Sequence, residues 1–262
     1  MNKKSPIVPP CSACREGDAL DFEFSMAFQP IVDLRDNSIF AYEALVRGCD
    51  GSGAAAILGK VNEQNRYAFD QACRVKAVEL ASRLKIPCFV SINFLPNAVY
   101  QAATCIRATL EAARRFGFPT ERLIFEITEN EELVDKEHLK SIIREYRLKG
   151  FKTAIDDFGA GYSGLNLLAE FQPDIIKLDM ALVRSICTDP VRQAIVQGIL
   201  GVCKALNIEV IAEGVETNAE LQQLLTLGIN LYQGYLLAKP EYETLPKVNW
   251  PTPTVGHRAS ST

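Results

Sequence analysis

The sequence predicts an α/β protein, a closed (β/α)8 barrel of the TIM type, and three observations lead to this prediction. Short apolar runs alternate with longer segments of helical period, which implies parallel strands joined by helices. Nearly every apolar run ends in a carboxylate, an amide or a lysine. With 262 residues, 48% of them apolar, the chain can form one barrel-sized core.

Eight strands and five long helices account for this alternation. An open, doubly wound sheet is the alternative, but it would place catalytic residues mainly at one switch point rather than after nearly every strand. The strands are expected within 26–34, 38–48, 87–94, 122–128, 151–159, 173–179, 208–214 and 229–237, and the helices within 62–85, 97–116, 133–149, 190–206 and 217–227.

The first connection differs from the others because it is short and carries a tight-turn signal. The sequence DLRDNSI places Asp36 and Asn37 between the first two apolar runs. Such a turn favours a hairpin, so the first strand is expected to run antiparallel to the second.

Composition excludes several classes of function. The chain has 28 basic and 32 acidic residues, a balance that argues against a surface for a nucleic-acid polymer. It has only two histidines, His138 and His257, which excludes a histidine-rich metal site. Among the eight cysteines only Cys11 and Cys14 are close in sequence, and two ligands are too few for tetrahedral zinc.

The domain organisation is expected to be simple. Residues 1–21 and 248–262 are predicted to be tails, and 22–247 to be one domain. We find no signal-peptide core and no membrane segment, so a cytoplasmic location with reduced thiols is predicted.

The polar residues at the strand ends are the candidate site. Glu43 and Arg47 share one strand face. The Glu43 carboxylate could bind a metal ion and the Arg47 guanidinium could bind a phosphate through two nitrogens, although an exposed ion pair would give the same pattern. Lys177 and Asp179 also share a face, for which a buried ion pair is the alternative. The remaining candidates are Asn93, Glu126, the pair Asp156 and Asp157 before the glycine-rich FGAGYSG, and Glu213.

Taken together, these side chains predict a cation site. Several carboxylates at one barrel mouth would repel one another unless cations neutralised them. Oxygen ligands without His or Cys select Mg²⁺ or Mn²⁺, and such sites suit phosphate esters.

The motifs resemble those of the EAL-domain cyclic di-GMP phosphodiesterases. They are EALVRG (43–48), FEITE (125–129), DDFGAGYS (156–163), KLD (177–179), EGVE (213–216) and QGY (233–235), and they occur in the family's order between about residues 22 and 245. The resemblance implies a barrel whose first strand is antiparallel. The chain departs from the common pattern at Ala160, Gly164 and Leu237, which removes no expected ligand.

The resemblance also implies a role for each matching residue. Two ions, Mg²⁺ or Mn²⁺, would be held by metal ligands at Glu43, Asn93, Glu126, Asp156, Asp157 and Glu213, with Asp156 shared between them. Lys177 would lie beside the attacking water, and the catalytic set would be Glu43, Asp156, Asp157, Lys177 and Glu213. The substrate would contact Gln29, Arg47, Lys177, Asp179, Glu216 and Gln233.

The implied reaction is hydrolysis of cyclic di-GMP to linear 5′-pGpG, which lowers the level of a bacterial second messenger. The alternative is a receptor or interaction module that binds cyclic di-GMP without cleaving it. Glu129 is expected to position the glycine-rich loop 158–164, unless it only caps the following helix. A homodimer is also left open.

Overall fold

The strands of the sheet follow one another in chain order and then close on themselves. The neighbour order is β2-β3-β4-β5-β6-β7-β8-β1, and β1 pairs with β2 to complete an eight-stranded barrel. The computed structural model describes residues 20–99, 105–128, 136–161 and 164–251. The strands are β1 Phe24–Asp33, β2 Ser38–Gly48, β3 Phe89–Asn93, β4 Leu123–Thr128, β5 Lys152–Phe158, β6 Ile175–Leu178, β7 Glu209–Ala212, β8 Leu231–Tyr232 and β9 Glu241–Tyr242.

Helices lie between the strands, as the sequence predicts. They are α1 Ala54–Leu58, α2 Arg66–Arg83, α3 Arg107–Phe116, α4 Lys136–Leu148, α5 Gly164–Glu170, α6 Met180–Val183, α7 Pro190–Leu206 and α8 Asn218–Leu227. The helix expected within 62–85 begins at Arg66, and within 97–116 the described helix α3 runs from Arg107 to Phe116. Three short helices, α1, α5 and α6, lie in segments for which the sequence predicted none.

The predicted hairpin is confirmed. β1 pairs antiparallel with β2 from Phe24 opposite Gly48 to Asp33 opposite Ser38. Asn37 in the turn has a positive φ of 56°, a conformation that Asn tolerates better than most residues. β1 is also antiparallel to β8, whereas the pairings from β2 through β8 are parallel.

A small apolar cluster fills the inside of the barrel and sets the level of the polar residues. Its members come from seven strands, and each strand contributes one side chain. In the strands that run toward the mouth, the inward residue two positions later is polar, because side chains alternate across a strand. The cluster consists of Ile31, Ala41, Ile124, Ala154, Ile175, Ile211 and Leu231.

A second, larger apolar core lies between the barrel and the helices and includes Phe28, Phe69, Phe125, Tyr146 and Leu224. Because the helices pack on the outside of the strands through this core, the inward face of each strand is left to the small cluster and the polar layer above it. None of the described helices combines the length and the apolarity needed to cross a membrane.

The structure describes only a small part of the two predicted tails, residues 20–21 and 248–251. Cys11, Cys14 and His257 lie outside the described residues. Val248 is buried, and the Asn249 backbone N–H donates to the Leu237 carbonyl over 2.8 Å. This end of the described chain therefore packs on the barrel.

We expect Gly234→Ala to lower stability by about 1–3 kcal/mol, because a Cβ at this position would overlap the backbone of Val215 and neither segment can yield cheaply. Gly198→Ala is the matched control, since its Cβ would meet nothing within 4 Å and helix α7 would gain about 0.5–1 kcal/mol. Urea unfolding of both variants measures the difference. Equal stability of the two would show that the close approach of Gly234 to Val215 is not needed.

Candidate active site

Lys177 stands at the centre of the barrel mouth and pairs with four carboxylates. Its side chain is 1% exposed, and its Nζ lies 2.6 Å from Glu213 Oε1, 2.9 Å from Glu126 Oε2, 3.0 Å from Asp156 Oδ1 and 3.4 Å from Glu43 Oε2. The four partners come from β2, β4, β5 and the end of β7. One ammonium thus faces four acids, which leaves an excess of negative charge when all are ionised.

Burial and charge shift the pKa values of this cluster in different directions. Burial raises the pKa of Glu126 to about 8 against the attraction of Lys177, and it raises the pKa of Glu213 well above its ordinary value. Burial also disfavours ionised Asp156, but the Lys177 charge and the polar groups around this carboxylate together outweigh burial and hold the pKa of Asp156 below its usual range. Burial opposes the Lys177 charge as well, but the surrounding carboxylates raise its pKa.

Glu43 is held by two amides. Asn93 Nδ2 donates to Glu43 Oε1 over 2.9 Å, and Gln233 Nε2 donates to Glu43 Oε2 over 2.6 Å. Gln233 Nε2 also lies 3.2 Å from Gln29 Oε1, and Gln29 Nε2 donates to the Ala238 carbonyl. Because the side-chain nitrogen of Asn93 donates to Glu43, the side-chain oxygen of Asn93 is left as the atom that could bind a cation.

Asp157 faces the site through an irregular stretch of backbone. Its φ is 54°, in the left-handed region, and the β5–β6 register shifts between Ile155 and Phe158. This conformation lets consecutive residues 156 and 157 serve one site, which a regular strand would not allow. Burial, followed by the negative charge of Asp156, raises the pKa of Asp157 to about 6.

The carboxylates form two groups that fit divalent cations. In each group, one oxygen from every residue lies within 4.8 Å of the others. Asp156 belongs to both groups, and its buried Oδ1 makes no hydrogen bond of normal geometry despite its closeness to Lys177. Hard oxygen donors with excess negative charge suit Mg²⁺ or Mn²⁺. The first group is Glu43, Glu126 and Asp156, and the second is Asp156, Asp157 and Glu213.

Two cavities open beside these groups. A polar cavity of about 270 Å³ is lined by Lys177 and the second group, together with the predicted substrate contacts Gln29, Asp179, Glu216 and Gln233. An apolar cavity of about 310 Å³ is lined by Leu58, Phe69 and Phe94, among others. The two share Glu43, Leu45 and Asp156. A ligand with both charged and apolar parts would fit this pair of cavities.

Three predicted substrate contacts have other partners in the structure. Arg47 lines neither cavity, and its Nη1 donates to the Val46 carbonyl over 2.7 Å. Asp179 accepts a hydrogen bond from the Ala181 N–H at the start of α6 and is not among the residues paired with Lys177, so the structure lacks the ion pair that was the alternative. Glu216 pairs with Arg184, 2.8 Å away. Glu129 lies outside the described residues.

Sequence reasoning missed Ser91, whose buried hydroxyl donates to Glu126 Oε1. It also missed Tyr235 and Met180, which line the polar cavity. The alternation of β3 could have found Ser91, because it lies two residues before Asn93 and so shares its face. Met180 begins helix α6 directly after KLD, and Tyr235 lies in a turn after β8, so the alternation of a strand reaches neither of them.

Comparison with known proteins connects this geometry to one family. The model of the EAL domain matches residues 17–240. The crystal structure of a standalone EAL protein from Vibrio cholerae O395, in its c-di-GMP-bound form, is 55% identical and superposes with a TM-score of 0.86, covering 88% of this chain and 98% of that one. The Klebsiella pneumoniae BlrP1 complex with manganese and cyclic di-GMP at pH 9.0 is 34% identical, with a TM-score of 0.80, over 87% of this chain and 58% of that one.

Curated relatives include both enzymes and a regulator. The antirepressor BluF of Escherichia coli is 34% identical over 86% of this chain and 56% of its own length. The cyclic di-GMP phosphodiesterase PdeR of the same organism is 41% identical over 52% of this chain and 21% of its own length. The matches thus span little more than half the length of BluF and about a fifth of PdeR. With its TIM-like barrel and its family match over most of its length, the chain belongs to the EAL domain family.

Proposed function

We propose that this protein is a divalent-cation-dependent phosphodiesterase that hydrolyses cyclic di-GMP to linear 5′-pGpG. The observation that carries the proposal is the convergence of Glu43, Glu126, Asp156 and Glu213 on Lys177 at the barrel mouth. Relatives named as cyclic di-GMP phosphodiesterases and solved structures that hold cyclic di-GMP support the choice of substrate.

The carboxylates would hold two cations, Mg²⁺ or Mn²⁺. Glu43, Asn93, Glu126 and Asp156 would hold one, and Asp156, Asp157 and Glu213 the other. Bound cations would offset the charge of the phosphate oxygens and lower the pKa of a water so that it can act as the nucleophile.

The protein's own residues would bind and orient the substrate. Lys177 would donate a hydrogen bond toward the reacting phosphate and offset the charge that develops there. Gln29 and Gln233 line the polar cavity, and the adjoining apolar cavity offers room for a base. Water would form one new P–O bond, the bond to the ribose 3′-oxygen would break, and that oxygen would leave with a proton.

A second candidate is an interaction module that binds cyclic di-GMP without cleaving it. The similarity to BluF, which is named an antirepressor, favours this alternative. The presence of every carboxylate in the two groups supports catalysis instead, because a pure receptor would not need them all.

Two further expectations belong to this proposal. The six described cysteines are all free, which supports a cytoplasmic location. They are Cys49, Cys73, Cys88, Cys105, Cys187 and Cys203.

A homodimer is supported by exposed apolar residues along α7, at Val191, Ile195, Val202 and Leu206.

Purified protein with Mn²⁺ is expected to convert cyclic di-GMP to 5′-pGpG, measured by chromatography of the products, and excess chelator is expected to stop the reaction.

Asp156→Asn should lower turnover by at least about 10²-fold while keeping the melting temperature, because an amide is a poor bridge between cations. Binding of cyclic di-GMP without any product would instead favour the interaction module.

Lys177→Met is expected to lower the stability of chelator-treated protein by about 3–5 kcal/mol, since it leaves the buried carboxylates without a counter-charge. Added Mn²⁺ should restore part of this loss. Lys140→Met is the control, because Lys140 pairs with Glu170 at a partly exposed site and its loss should change the stability little. Urea unfolding with and without Mn²⁺ measures both, and a loss at Lys177 that Mn²⁺ leaves unchanged would contradict the cation site.

A further inference from the structure

Ser91 is a fully buried polar residue in the middle of strand β3. It is 0% exposed, and its side chain shares a face with Asn93, two residues further along the strand. In the β3–β4 pairing, Asn93 lies opposite Glu126. The Ser91 hydroxyl therefore sits one inward position below Asn93, and it donates a hydrogen bond to Glu126 Oε1.

Glu126 is held from two sides. Lys177 Nζ donates to its Oε2 over 2.9 Å, and Ser91 Oγ donates to its Oε1. The torsion that rotates a Glu carboxylate is broad and roughly two-fold, so packing alone fixes it weakly. Two donors on opposite oxygens fix the plane of the carboxylate, and the donation from Ser91 still leaves acceptor capacity on Oε1.

The direction of that plane matters because Glu126 belongs to the group with Glu43 and Asp156, whose oxygens lie within 4.8 Å of one another. Glu43 is oriented in the same way, by Asn93 and Gln233. A cation gains most from carboxylates that already point at it, because no ordering is then needed on binding.

We propose that Ser91 is a positioning residue that orients Glu126 for the divalent cation held by Glu43, Glu126 and Asp156. This inference rests on the proposed function. Ser91 does not touch the cation or the substrate in this account, and it acts only through the hydrogen bond to Glu126.

The structure supplies a matched control for the chemistry of this contact. Ser25 is also buried, at 3% exposure, and its hydroxyl also donates to a glutamate, Glu243. Glu243 pairs with Arg83 and belongs to neither carboxylate group. Ser25→Ala therefore removes the same kind of hydrogen bond at a place that has no part in cation binding.

The test is Mn²⁺ binding to the metal-free full chain by calorimetry, with melting curves recorded for every variant. Ser91→Ala is expected to raise the dissociation constant for Mn²⁺ by about 10-fold or more, the usual cost of removing a group that orients a metal ligand. Ser91→Thr, which keeps the hydroxyl, is expected to retain most of the affinity, and Ser25→Ala all of it. Ser91→Cys, similar in volume but a weak donor, tests the same point if the Ala variant melts early.

The outcomes separate this inference from the proposed function. Wild-type affinity in a folded Ser91→Ala variant overturns the inference alone, as does an equal loss in Ser25→Ala. Lack of any Mn²⁺ binding by the wild-type chain overturns the proposed function and the inference together. A merely structural serine would lower the melting temperature and leave the dissociation constant where it was.

Discussion

The burial of one ammonium among four carboxylates is the constraint on which the rest of the mouth depends. Lys177 at 1% exposure would be costly to bury alone, and so would Glu126. Each makes the other tolerable, yet the acids outnumber the ammonium, and burial raises the pKa of Glu126 and of Glu213. The positive charge within the cluster therefore does not balance the negative charge that its carboxylates would carry when ionised. In the proposed function, bound divalent cations would supply the missing positive charge, which a purely structural ion pair would not need.

The barrel places these groups by simple repetition. Seven of the eight barrel strands place one apolar residue inside the barrel, and in those that run toward the mouth the next inward residue is polar, as in the steps from Ile124 to Glu126 and from Ile175 to Lys177. The antiparallel β1 reverses the order, so that Gln29 comes before the apolar Ile31. Asp157 is the exception, because a left-handed residue beside a register shift brings a second consecutive acid to the site.

The alternation of side chains along each strand explains how much of this arrangement could be predicted from the sequence. The strands, the hairpin and the polar residue that ends each strand follow from period and turn chemistry, and the order of the motifs indicated the family. What the sequence could not give are contacts between elements that no period connects. Asp179 caps α6, Glu216 pairs with Arg184, and Arg47 bonds to its own strand's backbone. Each depends on where a loop or a long side chain lies after folding.

We expect two divalent cations at the barrel mouth, with Asp156 as a ligand of both. Anomalous diffraction at the manganese edge, from crystals of the protein grown with Mn²⁺ and cyclic di-GMP, tests this expectation directly. Two peaks are expected, one among Glu43, Asn93, Glu126 and Asp156 and the other among Asp156, Asp157 and Glu213. A mouth without a manganese peak, at Mn²⁺ concentrations that support hydrolysis, would contradict it.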